Sequence, residues 1–278
     1  MDNSAQDSAV AQFCALHESG CFVLPNPWDA GTAIFLQHLG FKALATTSAG
    51  FAFSRGRSDG RVPRDEMLVH IRDLVAATSL PVNADVLNGF ANAPEEVAHN
   101  VKLCLATGVA GLSIEDSTGH EDTPLYDDGL AAERVQAARK AIDDSKIPVV
   151  LTARCEAWLV GHPDAFNIAR QRLVAYAEAG ADCLYAPGVR EPDEIGELVK
   201  AVAPKPLNVL VSRPGEGLTV AHLTQLGVRR ISVGSALSAV AWGAFMRAAR
   251  EIAESGTFDS LSGAASFAEL NNLFSQPR

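Results

Sequence analysis

The sequence predicts an α/β protein, a (β/α)8 TIM-type barrel with a C-terminal helical extension, and three observations carry that expectation. Eight short apolar runs alternate with eight helix-patterned stretches along the chain. The runs are almost continuously apolar, the pattern of parallel strands covered by helices on the sheet's faces. Eight such units are the number that closes a barrel. The structural alternative is a doubly wound open sheet, but no GxGxxG follows the first run.

The strands are expected at 21–25, 42–46, 81–85, 110–115, 148–153, 182–186, 206–211 and 229–233. Helices are expected near 29–39, 63–77, 94–106, 131–143, 164–179, 191–202, 219–226 and 236–253. Pro94-Glu95-Glu96 and Pro163-Asp164 mark helix starts, with proline early and acids against the positive end of the helix dipole. Gly40, Gly108, Gly180 and Gly227 sit where helices end before the next strand. Pro81, Pro148 and Pro206 sit at strand starts, where no ladder hydrogen bond is lost. The barrel domain is assigned to residues 1–253 and a tail to 254–278. The tail reads as a helix-turn-helix with Phe258, Leu261, Phe267, Leu270 and Phe274 as its apolar face, packing on the barrel or on a neighbouring subunit.

With 278 residues, 47% hydrophobic and 20% charged, the chain has the makings of a large core. A net charge of -10 argues against nucleic-acid and anionic-membrane partners, both of which need basic surfaces. Cys14, Cys21, Cys104, Cys155 and Cys183 are scattered, with no CxxC pair, and read as reduced thiols. The first residues show no signal-peptide pattern and no stretch is long enough to span a membrane, so the expected compartment is the cytoplasm.

Catalytic groups of such barrels stand at the carboxyl ends of the strands. Three runs end there on charge: PVNAD on Asp85, AGLSIED on Glu115 and Asp116, and PVVLTAR on Arg154. Brought together, they form a cluster that is costly without a cation and an anionic ligand to balance it. Carboxylate oxygens suit Mg²⁺, and an arginine beside them suits a substrate carboxylate. Arg154 also has a plainer use, pairing with Glu156. The loop TTSAG (46–50) offers small residues and backbone N–H groups as an anion nest, or is an ordinary tight turn. Asp59 lies in a long Gly/Ser/Arg-rich loop able to fold over the site, and Asn208 is polar inside a strand. Cys155 alternates away from Arg154 and reads as a packed thiol.

The stretches LPNPWDAGTA (24–33), ATTSAGFAFSRGRSDG (45–60), PVNAD (81–85), GLSIEDS (111–117), TAR (152–154), LNVL (207–210) and LGVRRISVGSAL (226–237) carry a family resemblance. Over nearly its whole length the chain resembles the isocitrate lyase and phosphoenolpyruvate mutase superfamily. The resemblance implies a barrel enzyme that binds Mg²⁺, or Mn²⁺ in its place, and makes or breaks a bond beside the enolate of a 2-oxo acid. It implies Asp85 as direct metal ligand, with Asp59 and Glu115 holding metal-bound waters. Arg154 would contact substrate, Thr47, Ser48 and Ala49 would hold its carboxylate, and Asn208 would line the pocket. It also implies a homo-oligomer, a dimer or a tetramer that exchanges its last helices.

Two departures narrow the reaction. The family's second acid, two places after the metal ligand, is Leu87 here, with Asn88 as a partial substitute. The loop 116–129 lacks the lysine and cysteine of the family's lyases and holds His120, an acid/base candidate or a surface residue. Isocitrate and methylisocitrate cleavage lose their acid. The leading expectation is a Mg²⁺-dependent carbon–carbon lyase of the oxaloacetate decarboxylase kind. Carbon–phosphorus chemistry on phosphonopyruvate and a non-catalytic 2-oxo acid binder are the alternatives.

Overall fold

The computed structural model describes residues 3–214 and 217–275. Eight parallel strands, β1 (Phe22–Leu24), β2 (Leu44–Ala45), β3 (Val82–Asp85), β4 (Gly111–Glu115), β5 (Val150–Arg154), β6 (Cys183–Tyr185), β7 (Leu207–Leu210) and β8 (Arg230–Ser232), follow one another round a nearly closed (β/α)8 barrel. All eight lie where the apolar runs place them, within one or two residues at each end. Outside them stand α2 (Ala30–His38), α4 (Arg64–Ala77), α5 (Pro94–Leu105), α6 (Asp128–Ser145), α7 (Ala165–Glu178), α8 (Pro192–Val202) and α9 (Val220–Gln225), with α10 (Ala236–Ser255) after the last strand. Two helices have no counterpart in the sequence reading: α1 (Asn3–Glu18) and α3 (Ser48–Ser54).

The strand ladder leaves a seam between β1 and β2. Ala45 N–H crosses it to Pro25 O at 3.0 Å. Asn26 completes the closure. Its Nδ2 donates to Thr46 O at 3.0 Å, and its Oδ1 accepts from Val233 and Gly234 N–H at 3.1 and 2.8 Å. One buried amide thus joins the ends of β1, β2 and β8, satisfying backbone groups that closure would otherwise strand.

Helix α1 packs against the barrel through Phe13, which is fully buried. Gly111 permits the approach: a Cβ there would stand 2.4 Å from the Phe13 ring and 2.7 Å from Asn83 Oδ1. Burying a side chain of this size contributes about 1.5–3 kcal/mol.

Beyond the barrel, Ser238 is the one buried residue described on α10. Val240, Trp242, Phe245, Met246 and Ile252 are exposed along the helix. The tail departs from the expected helix-turn-helix. Its first arm is a single 3₁₀ turn, Asp259–Gly263, and only its second is an α-helix, α11 (Phe267–Phe274). The cause is Glu251, whose carboxylate accepts from Thr257 Oγ1 at 2.6 Å and from the N–H groups of Asp259 and Ser260 at 2.7 and 2.8 Å. These bonds bend the chain back and give its N–H groups partners outside a helical ladder. Among the described residues no helix is long and apolar enough to cross a membrane.

Candidate active site

The strand register aligns the polar residues. Glu115 pairs with Arg154, Arg154 with Tyr185, Tyr185 with Asn208, and Asn208 with Arg230. Side chains of register partners point to the same face. One row across five strands therefore presents a carboxylate, a guanidinium, a phenol, an amide and a second guanidinium. Above it, at the carboxyl ends of the strands, lies a cavity of about 160 Å³, the size for a small ligand.

Arg154 is the hub. Its Nη1 donates to Asp85 Oδ1 at 2.9 Å, its Nη2 lies 3.2 Å from Glu115 Oε2, and its Nε donates to Glu156 Oε1 at 3.0 Å. All four side chains are at most 15% exposed. The Tyr185 ring stands 5.2 Å from the guanidinium carbon, adding a cation–π contact. Asp85 is fixed from two more directions: its N–H donates to Thr46 Oγ1 at 2.8 Å, and its Oδ2 accepts from Ser48 N–H at 3.1 Å.

Ser48 and Ala49 open α3, and Thr47 is that helix's cap, its hydroxyl accepting from Gly50 N–H at 3.2 Å. The TTSAG stretch is thus a helix start, not a simple turn. Thr47, Ser48, Ala49, Asp59, Asp85, Arg154 and Asn208 all line the cavity. Asp59 reaches it from the loop between α3 and α4, and its carboxyl receives Gly60 N–H at 2.9 Å.

Negative charge exceeds positive here. Asp85, Glu115 and Glu156 all contact the guanidinium of Arg154, and Asp59 and Arg230 line the same cavity. Burial pushes the Glu115 carboxyl well above its usual range, and Glu156 and Asp85 push it further against the pull of Arg154. Burial also lifts Glu156, to about 7. Desolvation at the cavity and then the charge of Asp85 raise Asp59. Burial disfavours the charge on Arg154, yet Glu156, Glu115 and Asp85 together outweigh it and hold the guanidinium ionised.

Among the described residues no three His, Cys, Asp or Glu side chains converge into a cage that could hold a metal by themselves. Mg²⁺ needs no such cage, since it keeps several waters and takes one or two direct protein ligands. The surplus of carboxylates, with Asp59, Glu115 and Glu156 raised toward their neutral forms, is what a divalent cation would relieve. The residues fit the ion.

Three expectations are corrected. His120 is exposed at the tip of the loop between β4 and α6 and does not line the cavity. That loop closes on itself: Thr118 N–H bonds Pro124 O at 3.0 Å and Thr118 Oγ1 bonds Thr123 O at 2.5 Å, which carries the histidine away. Asn88 does not stand in for the acid missing at Leu87. Its Nδ2 donates to Tyr126 Oη at 3.0 Å and its Oδ1 accepts from Phe90 N–H at 3.1 Å. Asp116 turns away from the cavity, accepting from Glu156 N–H, Arg172 Nη1 and Tyr176 Oη at 2.8, 2.8 and 2.7 Å. It binds the β4 end to α7. Cys155, by contrast, is fully buried as a packed thiol should be, and burial and then Asp116 raise it away from the thiolate form.

Glu156, Asn26, Thr46, Tyr185, Ser232 and Arg230 escaped the sequence reading as site residues. The available signal was polarity inside apolar strand runs, the same signal that singled out Asn208.

The family model for phosphoenolpyruvate phosphomutase matches residues 13–253. The chain belongs to that family. A crystal structure of a candidate lyase/mutase from Burkholderia cenocepacia is similar at 48% identity and a TM-score of 0.94, covering 99% of this chain and 98% of that one. An uncharacterised protein of Mycobacterium tuberculosis is 34% identical over 260 residues, 93% of this chain and 94% of its own. The oxaloacetate decarboxylase of Rhodopseudomonas palustris is 31% identical over 274 residues, 95% of this chain and 91% of its own. Named relatives include lyases, a phosphorylmutase and a decarboxylase.

Proposed function

We propose that the protein is a Mg²⁺-dependent carbon–carbon lyase for a small 2-oxo diacid, with oxaloacetate decarboxylation as its reaction. One observation carries this reading. Among the described residues, the titratable side chains lining the cavity are Asp59, Asp85, Arg154, Tyr185 and Arg230, with no lysine, histidine or cysteine. Tyr185 is itself held protonated by burial, pushed up to about 12. A reaction in this cavity has electrophilic help, Asp59 is taken up with the ion's water, and decarboxylation needs no further side-chain acid. Similarity to the Rhodopseudomonas decarboxylase supports the same choice.

Asp85 would hold the ion directly, with Asp59 and Glu115 through water. When bound, Mg²⁺ (or Mn²⁺) supplies an electron sink at the 2-oxo group. The protein's own groups orient the substrate. Arg154, anchored by three carboxylates, meets the substrate's negative charge from a fixed direction, and the α3 start faces the adjoining carboxylate. The C3–C4 bond breaks, CO₂ leaves, the bond pair remains as the enolate of pyruvate, and solvent protonates C3. Glu115 and Glu156 hold Arg154 in place and stay clear of the proton transfer.

Purified protein with Mg²⁺ is expected to release pyruvate from oxaloacetate faster than Mg²⁺ alone. No release above the metal-only rate overturns the reading, and phosphate release from phosphonopyruvate would replace it with carbon–phosphorus chemistry.

The assembly belongs to the same proposal. The exposed apolar residues of α10 support burial against a second copy of the chain, as dimer or tetramer. Sedimentation of the intact protein as a monomer would refute it.

A further inference from the structure

Arg230 lies beneath the cavity at 2% exposure, and no carboxylate among the described residues is within ion-pair distance of it. Its partners are all neutral. Nε donates to Asn208 Oδ1 at 2.8 Å, Nη2 to Thr152 Oγ1 at 2.9 Å, and Nη1 meets His17 Nε2 at 3.2 Å. A buried guanidinium without a counter-ion is costly, so its neighbours must be arranged to tolerate it.

The hydrogen-bond chemistry settles that arrangement. A guanidinium only donates. The His17 nitrogen facing it must therefore accept, which requires a neutral imidazole with its proton on Nδ1. Phe13 O waits 2.7 Å from Nδ1 to take that proton's hydrogen bond. Burial and then Arg230 itself hold His17 down to about 3, in agreement with the geometry, and Arg229 acts in the same sense. The same logic applies to Asn208. Its amide can flip end for end, but the atom facing Arg230 must be the oxygen. The NH₂ is thereby turned the other way, where it donates to Ser232 Oγ at 3.0 Å along the cavity wall.

We propose that Arg230, held from below by His17, is a positioning residue that presets Asn208 as a hydrogen-bond donor to a negative group of the substrate at the β7–β8 side of the cavity. This rests on the reading of the cavity as a 2-oxo acid site. The selectivity follows from the preset: a carboxylate or 2-oxo oxygen is matched there, and a donor group is refused. The uncompensated charge on Arg230 favours an anion at the same place. His17 lies on α1, before the first strand, so a segment outside the barrel takes part in shaping its pocket.

Oxalate, a stand-in for the pyruvate enolate, is the probe, titrated calorimetrically in Mg²⁺ against wild-type protein and variants. Arg230→Met frees the amide and is expected to weaken oxalate at least tenfold and to raise KM for oxaloacetate more than it lowers kcat. A residue of merely structural importance would lower Tm and leave both affinities alone. Asn208→Asp guards against misfolding of the first variant: it pairs with Arg230 and keeps the fold, yet replaces the outward donor with an acceptor. It is expected to lose oxalate at least tenfold without a fall in Tm. His17→Gln keeps a neutral acceptor and is expected to bind oxalate as wild type does. Wild-type-like oxalate affinity in Arg230→Met or Asn208→Asp overturns the positioning role alone. Failure of the wild-type protein to bind oxalate at any Mg²⁺ concentration overturns the functional reading, and this proposal with it.

Discussion

Arg154 Nη1 lies 2.9 Å from Asp85 Oδ1, although 69 residues and an intervening strand separate them. The register shows how. On β4 the partner of Asp85 is Ser113, a small residue, and Arg154 pairs with Glu115 two places further toward the carboxyl end. The guanidinium crosses over Ser113 to reach β3. Glu156 and Glu115 keep it extended in that direction.

Replacing that hub tests the arrangement. Arg154→Met leaves three buried carboxylates facing one another and should cost about 3–5 kcal/mol of stability at neutral pH. Arg154→Lys supplies one point charge where a fork is needed and should retain the fold while losing activity about 100-fold or more. Urea unfolding and pyruvate release measure the two effects separately.

The carboxylate surplus predicts a pH-dependent response to Mg²⁺. Glu156 is raised from 4.5 to about 7, so the folded protein keeps a proton that the unfolded chain has lost. Its contribution to stability is full below 4.5 and disappears as pH rises through about 7, with Glu115 acting in the same direction. A cation beside Glu115 and Glu156 favours their ionised forms. Its stabilising effect should therefore grow across that window, seen as a widening gap between melting temperatures with and without Mg²⁺. His17, remote from the ion, titrates in both arms and cancels in the difference. A gap that stays constant with pH would count against a cation at this site.

Leu87 adopts φ 52, a left-handed conformation that a branched apolar residue tolerates poorly. Leu87→Asp restores the family's second acid and places there a residue better suited to that backbone. Mg²⁺ affinity should rise about tenfold, the scale on which outer-shell carboxylates act on metal sites. Isothermal titration with Mg²⁺ checks it, and stability should not fall.

His17 predicts an acid limb. Its pKa is depressed from 6.5 to about 3, so its contribution is full above 6.5 and is lost as pH falls toward 3. His17→Gln cannot be protonated. It should lose less stability than wild type between those values, by up to about 1.4 kcal/mol per pH unit within the window. Chemical denaturation at several pH values provides the comparison.

Much of the site was legible from residues alone, because strand ends in a barrel are forced to meet. Asp85, Glu115 and Arg154 end three successive parallel strands, and parallel pairing leaves their carboxyl ends no other place to go. Asn208 stood out as an amide in an apolar run, whereas Arg230 passed unnoticed because its role shows only once its partners are seen. His120 misled because a loop sequence carries no sign of which way the loop folds. The bonds of Thr118 to Thr123 and Pro124 decide that, and they are local contacts without periodicity.

Taken by itself, the chain's order of apolar runs, glycines and prolines determined the barrel, its eight strands and the acidic mouth, since period and punctuation are properties of neighbours in sequence. Only the tertiary structure decided the use of each polar group. Asn88 went to Tyr126, Asp116 to Arg172, Glu156 to Arg154 and His17 to Arg230. A buried donor or acceptor takes the partner that the packing brings within about 3 Å, and that distance is set by segments far apart along the chain.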